Sequence, residues 1–316
     1  MIEPHKQDGC VTRMQVYDTT VEFDKGLFYI DTFAHSRKRS IGILIYREGD
    51  EAVVFDSGMP GSASSIISSL MIFGIEKTSI RHLLLSHRHI DHAGAASTLL
   101  THFPNALVGI HPFSAKHLAE PSKIYLGGRE LFGDYASPMS PVSADLIRGM
   151  MDGEDIQVGQ ETVQAIYGPG HTSDHVVYYI PSRRTLYCGD AVGAYDTARK
   201  RVYPTCMYPS FDYEKYKSTL GRISQLDIET LVFPHFGVVS GSSAKQILKD
   251  SLSAYRVLEE IMKENAGENN EERTMQRLIG ALRDATEIFP ESVREKAAEY
   301  MARGFLEGSR KAISSI

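Results

Sequence analysis

Between residues 26 and 110, short apolar runs alternate with amphipathic stretches, and turn residues bound each of them. Gly26–Phe33, Ile41–Tyr46 and Ala52–Phe55 are short and aliphatic or aromatic, which predicts strands. Gly49-Asp50 reads as a hairpin turn between the last two. In Ser62–Phe73 the residues Ile66, Ile67, Leu70 and Met71 recur at helical spacing. His82–Leu85 reads as a buried strand, Ala93–Phe103 as a small-residue helix and Ala106–Ile110 as another short strand. After Pro121 the pattern loosens. Ser122–Pro141 holds Gly127, Gly128, Gly133 and Pro138 among several aromatics, and is expected to form a long loop or lid. Strands return at Thr162–Tyr167, Val176–Ile180 and Thr185–Cys188, followed by a helix at Tyr213–Ile223 and a strand at Thr230–Phe233.

From Ser242 the period changes. Ile247, Leu248, Leu252, Tyr255, Leu258, Ile261 and Met262 fall at helical spacing with charges between them. Two further helical runs cover about Glu271–Phe289 and Pro290–Arg310, after the polar stretch Glu264–Glu272. These patterns predict an α/β domain over residues 1–241 and a helical C-terminal region over 242–316. No repeat with a 20–50-residue period is present.

Composition narrows the function. A chain of 316 residues can bury a sizeable core without disulfides or structural metals. Hydrophobic residues are 42% and charged residues 23%, which excludes disorder, collagen-like repeats and coiled-coil rods. Lys and Arg number 34 against 40 Asp and Glu, and a net charge of −6 speaks against a nucleic-acid partner. No run reaches the ~18 apolar residues of a membrane helix, so no membrane partner is expected. Met1–Val11 has no apolar signal core. Cys10, Cys188 and Cys206 do not form a disulfide framework, and a cytoplasmic, reducing location is expected.

The 12 histidines carry the chemistry. In Leu83-Leu84-Leu85-Ser86-His87-Arg88-His89-Ile90-Asp91-His92-Ala93-Gly94 an aliphatic strand ends, and four metal-ligand residue types occur within six positions. His87 and His89, two apart in extended chain, can aim the same way. Asp91 and His92 lie in the following turn and can face a second point. Imidazole plus carboxylate suits zinc or a first-row neighbour. Three later residues also follow strands: His171 in Gly168-Pro169-Gly170-His171-Thr172, Asp190 in Cys188-Gly189-Asp190, and His235 in Phe233-Pro234-His235-Phe236-Gly237. Singly each is weak evidence. Together they make a set of seven, enough for two metals.

This pattern closely resembles the metallo-β-lactamase superfamily over about residues 14–240, and Val53-Val54-Phe55-Asp56-Ser57-Gly58 matches that family's Asp-Thr-Gly strand end. The resemblance implies an αββα sandwich with metals at one edge between two sheets. It implies metal 1 on His87, His89 and His171, metal 2 on Asp91, His92 and His235, and Asp190 as the bridge. Asp56 would orient a ligand or loop without touching metal. The cofactors would be two divalent ions, zinc first, with iron or manganese also suited.

Within the superfamily the histidine-rich set is similar to glyoxalase II, lactonases and quinolone-signal response thioesterases. The last of these share the stretch from Gly170 to Tyr179 and Cys188-Gly189-Asp190-Ala191, and a helical C-terminus. The final histidine departs from the usual Pro-Gly-His-Gly, with Phe236 after it, which puts bulk beside the site and separates the substrate from that of any relative.

The expected reaction is hydrolysis of a small-molecule ester, thioester or lactone. A water shared by two cations has its pKa lowered to about 7, so hydroxide replaces a serine or cysteine nucleophile. Asp91 would orient it and shuttle its proton. Tyr195 is a candidate donor to the oxyanion, against a plain pocket-wall role. His175 is either a donor that supports a metal ligand from behind or a plain strand residue. The basic run His35-Ser36-Arg37-Lys38-Arg39 is either an anion holder or a solvated hairpin loop. His82, His102, His111 and His117 read as structural, and Cys188 and Cys206 are not nucleophile candidates. The helices after Ser242 are expected to cap the metal edge together with Ser122–Pro141, and to offer a homodimer contact.

Three alternatives remain at this level. A persulfide dioxygenase would use much of the motif around one iron. A nuclease would need a basic face, against the charge of −6. A signalling protein could keep its metals with vestigial catalysis. Flavodiiron enzymes are excluded by His89, where they carry Glu, and by the chain length.

Overall fold

The structure, a computed structural model, describes residues 15–265 and 271–313, with side chains as far as Arg310. Cys10 and the polar N-terminus lie outside the described residues.

Strands apolar on both faces set the architecture. Successive side chains of a strand point to opposite faces. Phe28, Ile30, Ile43, Ile45 and Val54 enter one core, while their neighbours Leu27, Tyr29, Leu44, Tyr46, Val53 and Phe55 enter another. A chain segment buried on both sides must be sandwiched. These strands belong to a seven-stranded sheet in chain order: Val21–Asp24, Leu27–Asp31, Gly42–Glu48, Glu51–Phe55, Ile80–Leu84, Leu107–Ile110 and Ile147–Gly149. A second seven-stranded sheet has the order Gln15–Tyr17, Gly237–Ser240, Thr230–Phe233, Thr185–Tyr187, Val176–Ile180, Glu161–Tyr167 and Asp155–Val158. Val163, Ala165, Tyr178, Tyr187, Val232 and Val238 of the second sheet close the core between the two.

Helices cover both outer faces. The first sheet lies under α1 (Ala63–Ile72), α2 (Ile90–Ala93), α3 (Ala96–Leu100), α4 (Pro112–Ala119) and α5 (Ser122–Phe132), through Ile66, Leu70, Ile90, Leu99, Leu118 and Ile124. The second lies under α6 (Tyr213–Ile223), α7 (Ser243–Ala254), α8 (Arg256–Glu264), α9 (Glu271–Leu282) and α10 (Arg294–Ile313), through Tyr216, Ile247, Leu258, Leu278 and Phe305. The result is an αββα sandwich with C-terminal helices. Those helices have no core of their own. Met301 and Phe305 share one with Val177 and Leu231, and Phe289, Val293 and Ala297 join the first sheet's outer core. The apolar stripe Ile247, Leu248, Tyr255, Leu258 and Ile261 is buried within the chain, so a dimer contact would have to use other residues. No described helix is long and apolar enough to cross a membrane.

The strands at 176–180 and 230–233 and the helix at 213–223 fall at the expected residues. The expected loop at Ser122–Pro141 is corrected: α5 takes Ser122–Phe132, and a 3-10 turn takes Gly133–Tyr135. Gly128 is not a breaker there. A Cβ on it would lie 2.5 Å from Ile90 Cγ2, so glycine lets α5 pack against the start of α2. The expected helix Ala93–Phe103 is shortened to α3, with Ala93 closing the separate turn α2. Its first turn is diverted by the strand end at Ser57: Ser57 donates from its N–H and its hydroxyl to His92 O, and the hydroxyl accepts from Ala95 N–H. The first C-terminal helix breaks at Tyr255, which is fully buried and accepts from Thr205 N–H. The second run, expected over Glu271–Phe289, stops at Leu282, and Asp284–Ile288 continues as a 3-10 segment.

Candidate metal centre

The strand Ile80–Leu84 delivers the histidine-rich segment to the edge between the sheets. Tyr178 OH, from the opposite sheet, donates to Leu85 O at 2.9 Å and fixes the strand's end. The donor atoms of His87, His89 and His171 lie within 4.8 Å of one another, as do those of Asp91, His92 and His235, and those of His87, His92 and Asp190. The two carboxylate oxygens of Asp190 divide between the first two groups. Oδ2 is 3.2 Å from His171 Nε2, while Oδ1 is 3.6 Å from His92 Nε2 and 3.7 Å from His235 Nε2. That is where a bridging ligand would stand.

The outer ring atoms settle which nitrogens are free. His171 Nδ1 donates to Thr205 O at 2.5 Å and His235 Nδ1 to Ser40 O at 3.1 Å, because a carbonyl can only accept. His92 Nδ1 lies 2.8 Å from Asp56 Oδ2. Ser86 Oγ gives its proton to Asp56 at 2.8 Å, and so accepts from His87 Nδ1 at 3.0 Å. In the neutral form of these four rings the lone pair is therefore on Nε2, and the Nε2 atoms gather at the same place. His92 Nε2 is 3.3 Å from His235 Nε2, and His89 Nδ1 is within 3.0 Å of both His87 Nε2 and His171 Nε2. Lone pairs this close repel unless a proton or a metal cation lies among them. Asp190 Oδ1 is also buried with no hydrogen-bond partner. The residues fit a metal centre, with the carboxylate or carbonyl partners that ligand histidines require.

Asp56 is the hub beneath it. Its carboxylate accepts from Ser86 N–H, Ser86 Oγ, His92 and Tyr187 OH, at 2.6 to 2.8 Å. It sits at φ 61°, in the left-handed region that aims the carboxylate inward. Burial opposes ionisation of both site carboxylates, yet the imidazoles around them prevail. His171, His92 and His235 hold Asp190 down to about 2, and His92 and His235 hold Asp91 well below the usual carboxylate range. Burial likewise opposes a charge on His92, but Asp91, Asp190 and Asp56 push it up to about 10. The centre attracts positive charge. Burial lowers His89 to about 3, leaving its ring neutral for ligation.

A cavity of about 440 Å³ opens above this floor. Its roof comes from α5, the 3-10 segment and α10: Ile124, Phe132, Ala285, Ile288, Phe289 and Met301 line it, with Tyr300 and Glu130. Tyr300 OH donates to Glu130 and ties α10 to α5. Gly304 permits α10's approach, since a Cβ there would lie 2.0 Å from Cys206 O.

Tyr195 does not line the cavity. Its ring stacks on Phe233 at 5.4 Å, and burial raises its pKa, helped by Asp196 and by Asp250 on α7. Its backbone matters instead: its N–H donates to His235 O, and its carbonyl accepts from Phe236 N–H. Phe236 packs on Tyr29 at 5.3 Å, in the core between the sheets, and does not line the cavity. His175 is an acceptor and not a donor, taking Asp190 N–H on Nε2 at 2.9 Å. His117, read as structural, lines the cavity mouth with Arg88 and Lys123. In the basic run Ser36, Lys38 and Arg39 are exposed, as a solvated loop requires, while the half-buried Arg37 donates to backbone carbonyls of residues 287–289. Sequence reasoning missed Thr205, Ser40 and Tyr29, whose contributions are a carbonyl, a carbonyl and a remote hydroxyl.

A family model described as the metallo-beta-lactamase superfamily matches residues 41–235. The chain belongs to that superfamily. It is similar to an atrochrysone carboxyl ACP thioesterase of Cryptosporiopsis sp. (strain 8999), 25% identical over 229 residues that cover 72% of this chain and 58% of the relative. It is also similar to a hydroxyacylglutathione hydrolase of Legionella pneumophila (strain Lens), 27% identical over 141 residues that cover 45% of this chain and 44% of the relative. The chain thus spans about half the length of these curated relatives. Among solved structures, an archaeal metallo-beta-lactamase superfamily protein from Sulfolobus tokodaii superposes with a TM-score of 0.60 at 21% identity, covering 93% of this chain and 98% of that one. This last likeness is one of fold.

Proposed function

We propose that the protein is a metal-dependent hydrolase that cleaves a small-molecule ester, thioester or lactone with two divalent ions, zinc in the first place. The observation that carries the reading is the pair of three-residue donor groups with the oxygens of Asp190 between them, at the floor of a cavity. Relatives named as a thioesterase and as a hydroxyacylglutathione hydrolase support it. His87, His89 and His171 would hold one ion, Asp91, His92 and His235 the other, and Asp190 both. Bound there, such ions supply an acidified water and polarise a carbonyl.

The chain's own groups do the rest. Asp91 lines the cavity and is held ionised, so it can take the proton of the attacking water and return it to the departing oxygen or sulfur. Ile124, Phe132, Ile288, Phe289 and Met301 exclude water and favour an apolar acyl group. At the mouth, Arg88 is fixed by Asp174 and lies 5.3 Å over the Phe113 ring, with Lys123 nearby. These cations suit an anionic leaving group.

Elemental analysis and a screen of p-nitrophenyl esters, acyl thioesters and lactones test the reading. Two ions per chain and chelator-sensitive hydrolysis are expected. One iron per chain with oxygen consumption on a persulfide would replace it with the dioxygenase reading. Two ions with no turnover of any of these classes would leave the chain a metal-binding protein without this activity.

A further inference from the structure

We propose that the loop Phe33–Ser40 is a mechanical link between the roof of the cavity and the ligand His235, with Arg37 as the positioning residue that holds it; this rests on the reading of the floor as a metal centre. Arg37 Nη2 donates to Glu287 O at 3.2 Å, and Nη1 donates to Phe289 O and, at 3.5 Å, to Ile288 O. One guanidinium thus gathers the carbonyls of the segment that places Ile288 and Phe289 over the cavity. His35 adds to the seam, stacked on Phe132 at 5.3 Å and edge-on to Tyr135 at 5.2 Å. At the other end of the same loop, Ser40 O accepts from His235 Nδ1. The chain beside it is tied to the same turn, since Gly42 N–H donates to Pro234 O at 2.8 Å.

The loop does not hold this shape by itself. Phe33, His35, Ser36 and Arg39 all have φ between 53° and 58°, and none is glycine. Side chains with a Cβ disfavour that region, and such conformations persist only where the surroundings impose them. The surroundings are the buried Asp31 carboxylate, which accepts from Phe33 N–H and Arg39 N–H, and the roof contacts of Arg37 and His35. Without the roof contacts, the loop should relax towards extended backbone and carry Ser40 O with it. His235 would then lose the acceptor that fixes its ring and its free nitrogen. Loss of such an outer partner typically costs 10–100-fold in metal affinity, and Arg37 acts one step further out.

The full-length chain is loaded with zinc and titrated with a chelator, counting ions retained. In Arg37→Ala the more weakly held ion is expected to leave at roughly 10-fold lower chelator than in the parent. Arg37→Lys should fall between, because an ammonium cannot fork to several carbonyls. Arg199→Ala is the control. Arg199 grips the same segment through the Glu287 carboxylate, 2.7 Å away, and its second ion-pair partner is Asp196, outside the loop, so its ions should be retained. Unchanged retention in Arg37→Ala, or equal loss in Arg199→Ala, overturns the link. In the unaltered chain, adding zinc to the metal-free protein should slow amide exchange in both 33–40 and 287–289. Slowing confined to the ligand loops overturns it as well, whether or not the variants fold. An unaltered chain that holds no ion overturns the metal-centre reading itself, a result distinct from the others.

Discussion

At the floor of the cavity, five imidazoles and two carboxylates converge, and directional partners fix the outer nitrogens of His87, His92, His171 and His235. At the roof, Phe132, Ile288, Phe289 and Met301 meet the same space by apolar packing, held by a few side-chain ties such as Arg37 to the carbonyls of 287–289 and Tyr300 to Glu130. Hydrogen bonds of the first kind leave one orientation per ring. Burial of the second kind sets a volume but tolerates other shapes of the same size. The floor thus places charged and ligating groups at fixed points, and on the proposed reading the roof chooses what lies above them.

The comparison breaks first at the floor. His87→Ala and Asp190→Ala should each bind fewer than two ions and lose chelator-sensitive turnover, because each removes a donor for which the site offers no substitute. Elemental analysis beside the best substrate's rate measures both. Tyr195→Phe is the matched control. Its ring lies on Phe233, away from the cavity, so ion count and turnover should match the parent. A turnover loss there would return the hydroxyl to the reaction and make the floor wider than drawn.

The floor was largely legible in the sequence, because ligation restricts residue type. His87, His89, Asp91, His92, His171, Asp190 and His235 each announce themselves as His or Asp beyond a strand. What fixes them did not. Thr205 and Ser40 contribute carbonyl oxygens, which every residue has, and Tyr29 bonds the turn of His235 across more than two hundred residues, donating to Phe233 O and accepting from Gly237 N–H. The roof was legible only as helical periodicity. That pattern says which side of a helix is apolar, not which core it enters, so Phe289 and Met301 carried no mark of their place above the donor residues. Gly128 misled in the same way. A glycine chosen for close approach is indistinguishable in sequence from one chosen for a turn.

The roof is sharpened by single substitutions. Cutting the chain after Ser240 would strip Ala244, Ile247, Leu258, Met301 and Phe305 from a core shared with the second sheet, and is expected to aggregate. Phe289→Ala is milder. Its ring packs 5.8 Å from Phe132 and is buried at the cavity wall. Truncations of buried Phe cost about 3–5 kcal/mol, less where the lost space joins an existing cavity. Ion count should be unchanged, the thermal midpoint lower, and the preference among acyl groups shifted to bulkier ones. An unaltered chain-length profile would remove Phe289 from selection.

The smallest expected effect lies on the seam between the two regions. His35 is wedged between Phe132 and Tyr135. Burial is the largest influence on it, and Arg37 and His235 add to that against the pull of Asp91, so its pKa is lowered to about 4. An unfolded chain protonates the same ring near 6.5. Between those values the unfolded state binds a proton that the folded state refuses, and stability falls as pH falls. Above about 6.5 both states are neutral and the stabilisation from the packed ring is complete; below about 4 both are charged and the loss is complete. His35→Gln removes this dependence. In metal-free protein, where acid cannot act by stripping ions, urea midpoints at pH 7 and pH 5 isolate the term, since all other histidines are common to both chains. The variant should be the less stable at pH 7, and the gap should narrow at pH 5. A gap that stays constant would mean that the ring titrates as if in water, and that the seam joining roof to floor is open to solvent.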